Sequence, residues 1–319
     1  MIDSKAVRRA LIESAPLGFA RKNLAVRLAR RDALGVTMVA DVMSYDVLDV
    51  RDPVFFSRQT DTIFILGSGT SVNELTARDW LEIGRHTSVG LNSWVVHDFL
   101  PDFYAFEEME SLAYSSHSAT LSRLLGREEI LEKRPGVLIL RPKLSTEPER
   151  IISVPQSLQE QVRLYGRTSV TTRKFSNLQS DLARLVSATD DRDFPASVVI
   201  DAGMSVVRMV SLAMRLGYKD AVLVGVDLNS NNYFWDTDVS HLTRRGLQDF
   251  NPWYTRGPVH DTEETTNRAF PASKFIPALA KAGLDEHGFT LWVSSPTSKL
   301  AGDLPLYPWA TGHDWKYGR

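Results

Sequence analysis

Seven short apolar runs punctuate the chain, each bounded by turn residues or by stretches with helical spacing. They are TIFIL (62–66), TSVGLN (87–92), DFYAFEE (102–108), GVLIL (136–140), ASVVI (196–200), DAVLVGVD (220–227) and FTLWVSS (289–295). Between the fifth and sixth, Met204–Leu216 sets apolar residues at helical intervals. Such runs alternating with helices are expected of a mostly parallel sheet covered on both faces, because a strand buried on both sides shows no polar face. The pattern predicts an α/β, Rossmann-like sheet flanked by helices.

In sheets of this kind ligands settle beyond the carboxyl ends of the strands. The residues that follow the apolar runs are polar or glycine-rich: Gly67–Ser71, Asn92–Ser93, Glu107–Glu108, Asp201–Ser205, Asp227–Asn229 and Ser294–Ser298. Two of them are strand–glycine–helix units, IFILGSGTSVNEL (63–75) and IDAGMSVVRMV (200–210). Amides at a helix start, together with the positive end of its dipole, suit a phosphate. Ser68, Thr70 and Ser71 would add hydroxyls, and Gly203 and Ser205 open the second helix. The structural alternative is a tight turn with capping hydroxyls.

Leu228–Val259 interrupts this rhythm with a polar, turn-rich stretch (NSNNYFWDTD, then NPWYTRGPVH). Long irregular segments in compact domains are commonly lids or binding loops. Trp235, Trp253 and Tyr254 are expected either to close over a ligand or to pack the segment onto the body.

Composition narrows the chemistry. The 319 residues are 43% hydrophobic and 24% charged, carry a net charge of −2 and include no cysteine. Thiol catalysis, disulfides and thiolate metal sites are excluded, and the charge leaves no broad footprint for nucleic acid. No apolar run is long enough for a bilayer span and no signal-peptide pattern opens the chain, so a cytoplasmic location is expected. Lys5, Arg8, Arg9, Arg21, Lys22, Arg27, Arg30 and Arg31 form a basic segment interleaved with apolar residues. It fits a helix lying on an anionic membrane face or a solvated helix packed on the domain.

GSGTSV begins like a dinucleotide fingerprint, but Val72 holds the third glycine position and Asn92 stands where an acid would hold ribose hydroxyls. The Gly-Lys-Ser/Thr ending of a Walker loop is missing too.

Taken in order, FILGSGTSVNEL, RLGYKDAVLVGVDLNSNNYFWD and VHDTEETTN resemble the bacterial sialyltransferases of glycosyltransferase family forty-two. PDFYAFEE (101–108) resembles an element shared with motility-associated glycosyltransferases and 6-hydroxymethylpterin diphosphokinase-like proteins. The resemblance covers roughly 62–300 and implies a GT-A-like variant of the Rossmann-like fold. It also implies an inverting glycosyltransferase that moves a CMP-linked sialic or related ulosonic acid to a hydroxyl of a surface glycan such as lipopolysaccharide or capsule. By resemblance His260 is the catalytic base and Tyr233 a lid residue on the leaving phosphate. Gly67, Ser68, Gly69, Thr70, Asn92, Ser93, Glu107, Asp201, Ala202, Gly203, Asp227 and Asn229 would line the donor site. Departures include Thr70 for proline, Asp201-Ala202 for a hydroxyl-rich pair, Glu107 for asparagine and Asn229 for a lid tyrosine. His86, His97, His117, His241, His287 and His313 have no comparable context and are expected to be structural.

The implied organisation is a basic helical extension (1–58), a catalytic domain (59–300) with a lid (228–259), and a tail (301–319). No metal is required on this reading, and the partners would be a nucleotide-sugar donor and a glycan acceptor. Peripheral membrane association and homo-oligomerisation stay open. The alternatives are a Mg²⁺-dependent diphosphokinase with Glu107 and Asp227 on the metal, a transferase using another donor such as a phosphoribosyl diphosphate, or a non-catalytic nucleotide-binding partner.

Overall fold

Residues 18–107, 115–142, 152–170, 172, 174–247, 260–264 and 269–309 are described by a computed structural model. Nine strands form in chain order: β1 (Asp46–Val47), β2 (Thr62–Leu66), β3 (Thr87–Leu91), β4 (Phe103–Phe106), β5 (Gly136–Leu140), β6 (Val162–Ser169), β7 (Val198–Asp201), β8 (Asp220–Val224) and β9 (Thr290–Val293). They line up as β1-β6-β5-β4-β3-β2-β8-β9, with β7 also paired to β6. Every pairing is parallel. The Rossmann-like arrangement expected from the apolar runs is present.

The runs are apolar throughout because both faces are covered. Ile63, Ile65, Val89, Leu91, Ala105, Leu138 and Leu223 point into one core with the Ser205–Arg215 and Ala272–His287 helices. Their neighbours Phe64, Leu66, Tyr104, Phe106, Val137, Ile139 and Val224 point into the other.

Strand order places β2 at a switch point. The chain leaves β2 toward β3, β4, β5 and β6 on one side and later returns to its other side as β8. A crevice opens at the carboxyl ends where order reverses. The Ser205–Arg215 helix touches β7 and also the β2–β3 pair, so its first turn stands over that crevice.

Two strands were not legible in the sequence. β1 is only two residues long, and β6 carries Arg163, Gly166 and Arg167, which mask its apolar positions. Those polar residues find tertiary partners: Arg163 pairs with Asp46 at 3.0 Å, and Arg167 with Asp201 at 3.1 Å. β8 is shorter than its apolar run because Gly225 turns to φ +63. A Cβ there would lie 2.5 Å from the Gly67 carbonyl oxygen, so the two glycines let the turns after β2 and β8 touch backbone to backbone.

The Gly18–Met43 helix packs mainly on β6 and on the Phe175–Thr189 helix. It passes from one core, through Val26 and Ala29, to the other, through Val36, Val39 and Ala40. At the crossing Asp32 accepts from the Arg167 amide at 2.7 Å and pairs with Arg141 at 2.8 Å. The basic residues from Lys5 to Arg9 lie outside the described residues. Near the other terminus, Val293 and Tyr307 exchange backbone hydrogen bonds with the 305–307 stretch and strand β9, and Trp309 is buried. Among the described residues no helix is long and apolar enough to cross a membrane.

Gly166 sits where the helix crosses, and a Cβ there would collide with the Asp32 carboxylate and lie 2.8 Å from Val36. Overpacking of this kind costs about 1–3 kcal/mol. Gly166→Val is therefore expected to lose about that much in chemical denaturation, while Gly302→Ala, at a site with nothing within 4 Å, stays within about 0.5 kcal/mol.

Candidate active site

Arg208 organises the carboxyl ends of the strands. Its side chain is fully buried, and its guanidinium donates to Asp201 Oδ1 at 2.9 Å, to Ser205 Oγ at 3.0 Å and to Glu107 Oε2. Asp201 ends β7 and Glu107 follows β4, so one cation joins two strand ends. Burial alone would disfavour the arginine's charge, but the two carboxylates outweigh it and raise its pKa. Tyr165, from β6, completes the surroundings, and burial pushes its phenol up to about 12.

The end of β3 joins the same network. Asn92 Nδ2 donates to Ser205 Oγ at 3.1 Å and approaches Glu107 Oε1 at 3.4 Å, and Ser205 Oγ donates to Glu107 Oε1 at 3.0 Å. Asn92 adopts φ +48, and Leu228, just past β8, adopts φ +60. Non-glycine residues in the left-handed region cost energy and concentrate where geometry is constrained by function. Ser93, expected beside the donor, is buried within the short helix that follows.

The two glycine turns need correction. Both were expected to aim amides at an anion, yet several of those amides already have partners inside the protein. Gly67 N donates to Val224 O and Gly69 N to Gly225 O, each at 2.7 Å. Asp227 closes the first turn: its carboxylate accepts from Ser71 N at 2.9 Å, Ser71 Oγ at 2.5 Å and Thr70 Oγ1 at 3.4 Å. Asp201 closes the second, accepting from Gly203 N at 2.8 Å and Met204 N at 3.2 Å. A carboxylate satisfies these donors as a phosphate would. Gly203 takes φ +75 and is exposed, and Ala202 beside it is half-buried. The first turn of the Ser205 helix, with its dipole, remains as the electropositive feature of this wall.

Glu107 and Asp227 are thus in separate hydrogen-bond networks rather than paired for a cation. Among the described residues no group of three or more His, Asp or Glu side chains gathers as a metal-binding cluster. Glu108 lies outside the described residues.

The first part of the expected lid is fastened down. Gly69 and Tyr233 form an antiparallel bridge, and Phe234 N donates to Ser68 O at 2.9 Å. Trp235, expected to close over a ligand or to pack, is buried, with the half-buried Tyr233 ring stacked on it at 4.7 Å. Phe234 enters a cluster with Trp94, His97 and His241. His97 stacks on Trp94 at 4.5 Å and on His241 at 4.9 Å. Burial first, then the neighbouring His241 and arginines, depress its pKa to about 3, so it stays neutral at physiological pH. Asn229 is exposed and donates to Thr297 O at 2.9 Å. Trp253 and Tyr254 lie outside the described residues.

His260 caps the short Asp261–Glu263 helix. Asn231 and Asp261 exchange two hydrogen bonds, at 3.0 and 2.9 Å, tying the histidine's turn to the segment that bridges Gly69. Lys299 links Glu263 to the end of β8, reaching the Glu263 carboxylate at 2.5 Å and donating its amide to Asp227 O at 2.8 Å. Thr262 N donates to His260 Nδ1 at 3.2 Å, and Thr262 Oγ1 lies 2.8 Å from the same nitrogen. Which of Nδ1 and Thr262 Oγ1 is the donor depends on the tautomer, and the form whose Nδ1–H donates to Oγ1 makes Nε2 the accepting nitrogen.

Arg208, Tyr165, Arg167 and Lys299 were missed from sequence. Only Arg208 left a signal, as a lone cation inside the otherwise apolar SVVRMVSLAM helix.

No protein-family model and no curated protein matches the chain. Among solved structures, the chain is similar to the sialyltransferase CstII from Campylobacter jejuni in complex with cytidine-5'-monophosphate, at 18% identity and a TM-score of 0.39, over 77% of this chain and 85% of that one. It is also similar to the monofunctional α-2,3-sialyltransferase Cst-I from Campylobacter jejuni, at 17% identity and a TM-score of 0.38, over 77% and 80% of the two chains. A MAf glycosyltransferase from Magnetospirillum magneticum AMB-1 gives 16% identity and a TM-score of 0.40, over 79% of this chain and 33% of that one. These are the kinds of protein that the sequence motifs resemble.

Removing one partner of a buried charge network costs about 3–5 kcal/mol because the others stay buried and uncompensated. Arg208→Met is expected to lose about this much in urea unfolding, against less than about 1 kcal/mol for Arg184→Met at a partly exposed ion pair.

Proposed function

We propose that the chain is a glycosyltransferase that takes a sugar from a CMP-linked donor and delivers it to a hydroxyl of a glycan acceptor. One observation supports this reading above the others. The start of the Ser205 helix meets the end of β3, the neighbour of β2, and the turn that carries His260 is tied through Asn231 to the segment that bridges Gly69 after β2. Short polar side chains beside a helix dipole suit a nucleotide phosphate, and a histidine on a turn tied to the segment after β8 suits proton handling during transfer.

On this reading the Ser205 helix start and Asn92 hold the donor phosphate, and Tyr233, bridged to Gly69, lies beside the departing group. Inversion would follow from attack of the acceptor oxygen on the face opposite the phosphate. His260 takes the acceptor's hydroxyl proton as that oxygen attacks and CMP leaves as the phosphate anion, in the tautomer whose Nδ1–H donates to Thr262 Oγ1.

The test is release of CMP from a CMP-sugar in the presence of glycan acceptors, compared among wild type, His260→Ala and His260→Gln. His260→Ala is expected to lose about 10²-fold or more in turnover, the scale of a positioned proton-handling group. His260→Gln, which keeps hydrogen-bonding capacity but cannot take up a proton, is expected to fall about as far. Turnover in His260→Ala equal to wild type contradicts the histidine's role, and a Gln variant close to wild type contradicts its action as a base.

A further inference from the structure

The charges at the carboxyl edge bear on which sugar the crevice accepts, a question that presupposes the nucleotide-sugar reading above. Glu107 stands at the end of β4 with one-third of its side chain exposed (33%), while Arg208 beside it has 0% exposure. The guanidinium is committed to two carboxylates, Glu107 and Asp201. Of the other cations at these strand ends among the described residues, Arg167 is held by Asp201 Oδ2 at 3.1 Å and Arg141 by Asp32 at 2.8 Å. The cation nearest Asn92 and Ser205 is therefore sealed behind an acid, and the surface offered to a ligand there is the acid.

We infer that the sugar subsite takes a donor whose sugar is uncharged, with Glu107 as the residue that excludes sugars carrying a carboxylate. A second anion beside Glu107 would face like-charge repulsion, and among the described residues the cations at hand, Arg208 and Arg167, are already paired. A sugar hydroxyl is a suitable partner instead. Oε2 accepts from Arg208 alone among the described donors, and a carboxylate oxygen has capacity for a second donor. Acidic side chains at strand ends recognise hydroxyls of bound nucleotides in the same manner. Arg208 acts through Glu107: it fixes the carboxylate's orientation.

The experiment is calorimetric titration of the full chain with CMP and with a CMP-linked ulosonic acid, repeated on Glu107→Gln. Gln keeps an oxygen for Arg208 while removing the negative charge. Wild type is expected to bind the carboxylated donor at least about tenfold more weakly than CMP itself, and Glu107→Gln to narrow that gap by about tenfold or more. A wild-type protein that binds the carboxylated donor as tightly as CMP or tighter overturns the inference while leaving the nucleotide reading standing. An unchanged gap in Glu107→Gln overturns the assignment to Glu107. Absence of CMP binding removes the parent reading, and this inference with it.

Discussion

A single buried cation holds the business end of the sheet together. Arg208 projects from the first turn of its helix into a position with 0% exposure and is bonded to acids that terminate β4 and β7. A buried guanidinium without partners is untenable, so Glu107 and Asp201 converge on it, Ser205 Oγ accepts from it as well, and Asn92 joins through Ser205 and Glu107. The strand ends are thereby brought to one place by electrostatics as much as by sheet geometry. The arrangement also fixes which side chains face the crevice. The positive charge is interior, and the outward groups are a carboxylate, a carboxamide and a hydroxyl.

The same logic recurs at the glycine turns. Asp227 binds Ser71 and Thr70, and Asp201 binds Gly203 and Met204. Each turn that resembles a phosphate cradle is thus partly closed by its own acid. Anion recognition is left to the dipole of the Ser205 helix and to polar side chains around it. The glycines serve close packing: Gly67 and Gly225 let the turns after β2 and β8 meet, and Gly69 lies against Asp227.

The strand pattern was legible because parallel strands buried on both sides are apolar at every position. Seven of the nine strands could be located from TIFIL through FTLWVSS. β6 escaped because Arg163 and Arg167 break its apolar run, and their partners Asp46 and Asp201 are distant in sequence. The site was legible by position, since strand-end residues can be named from the runs, but not by role. Whether Asp227 faces a ligand or a serine depends on how the turn after β8 meets the turn after β2, which spacing does not disclose. The segment after Asp227 was legible only as two alternatives, a lid or a packed stretch. Phe234 packs beside Trp94, His97 and His241, and Trp235 is buried against Phe234. His260 was found by its surroundings, while the residue that holds its Nδ1 is Thr262, two residues on.

The most direct measurement of the central claim is a double-mutant cycle on Arg208→Met and Glu107→Gln, read by equilibrium unfolding. If the guanidinium holds the strand ends through that carboxylate, the two substitutions are non-additive, with a coupling of about 1–3 kcal/mol. Additivity within about 0.5 kcal/mol would mean that Arg208 and Glu107 act independently, and that the carboxyl edge is organised by something other than their shared charge.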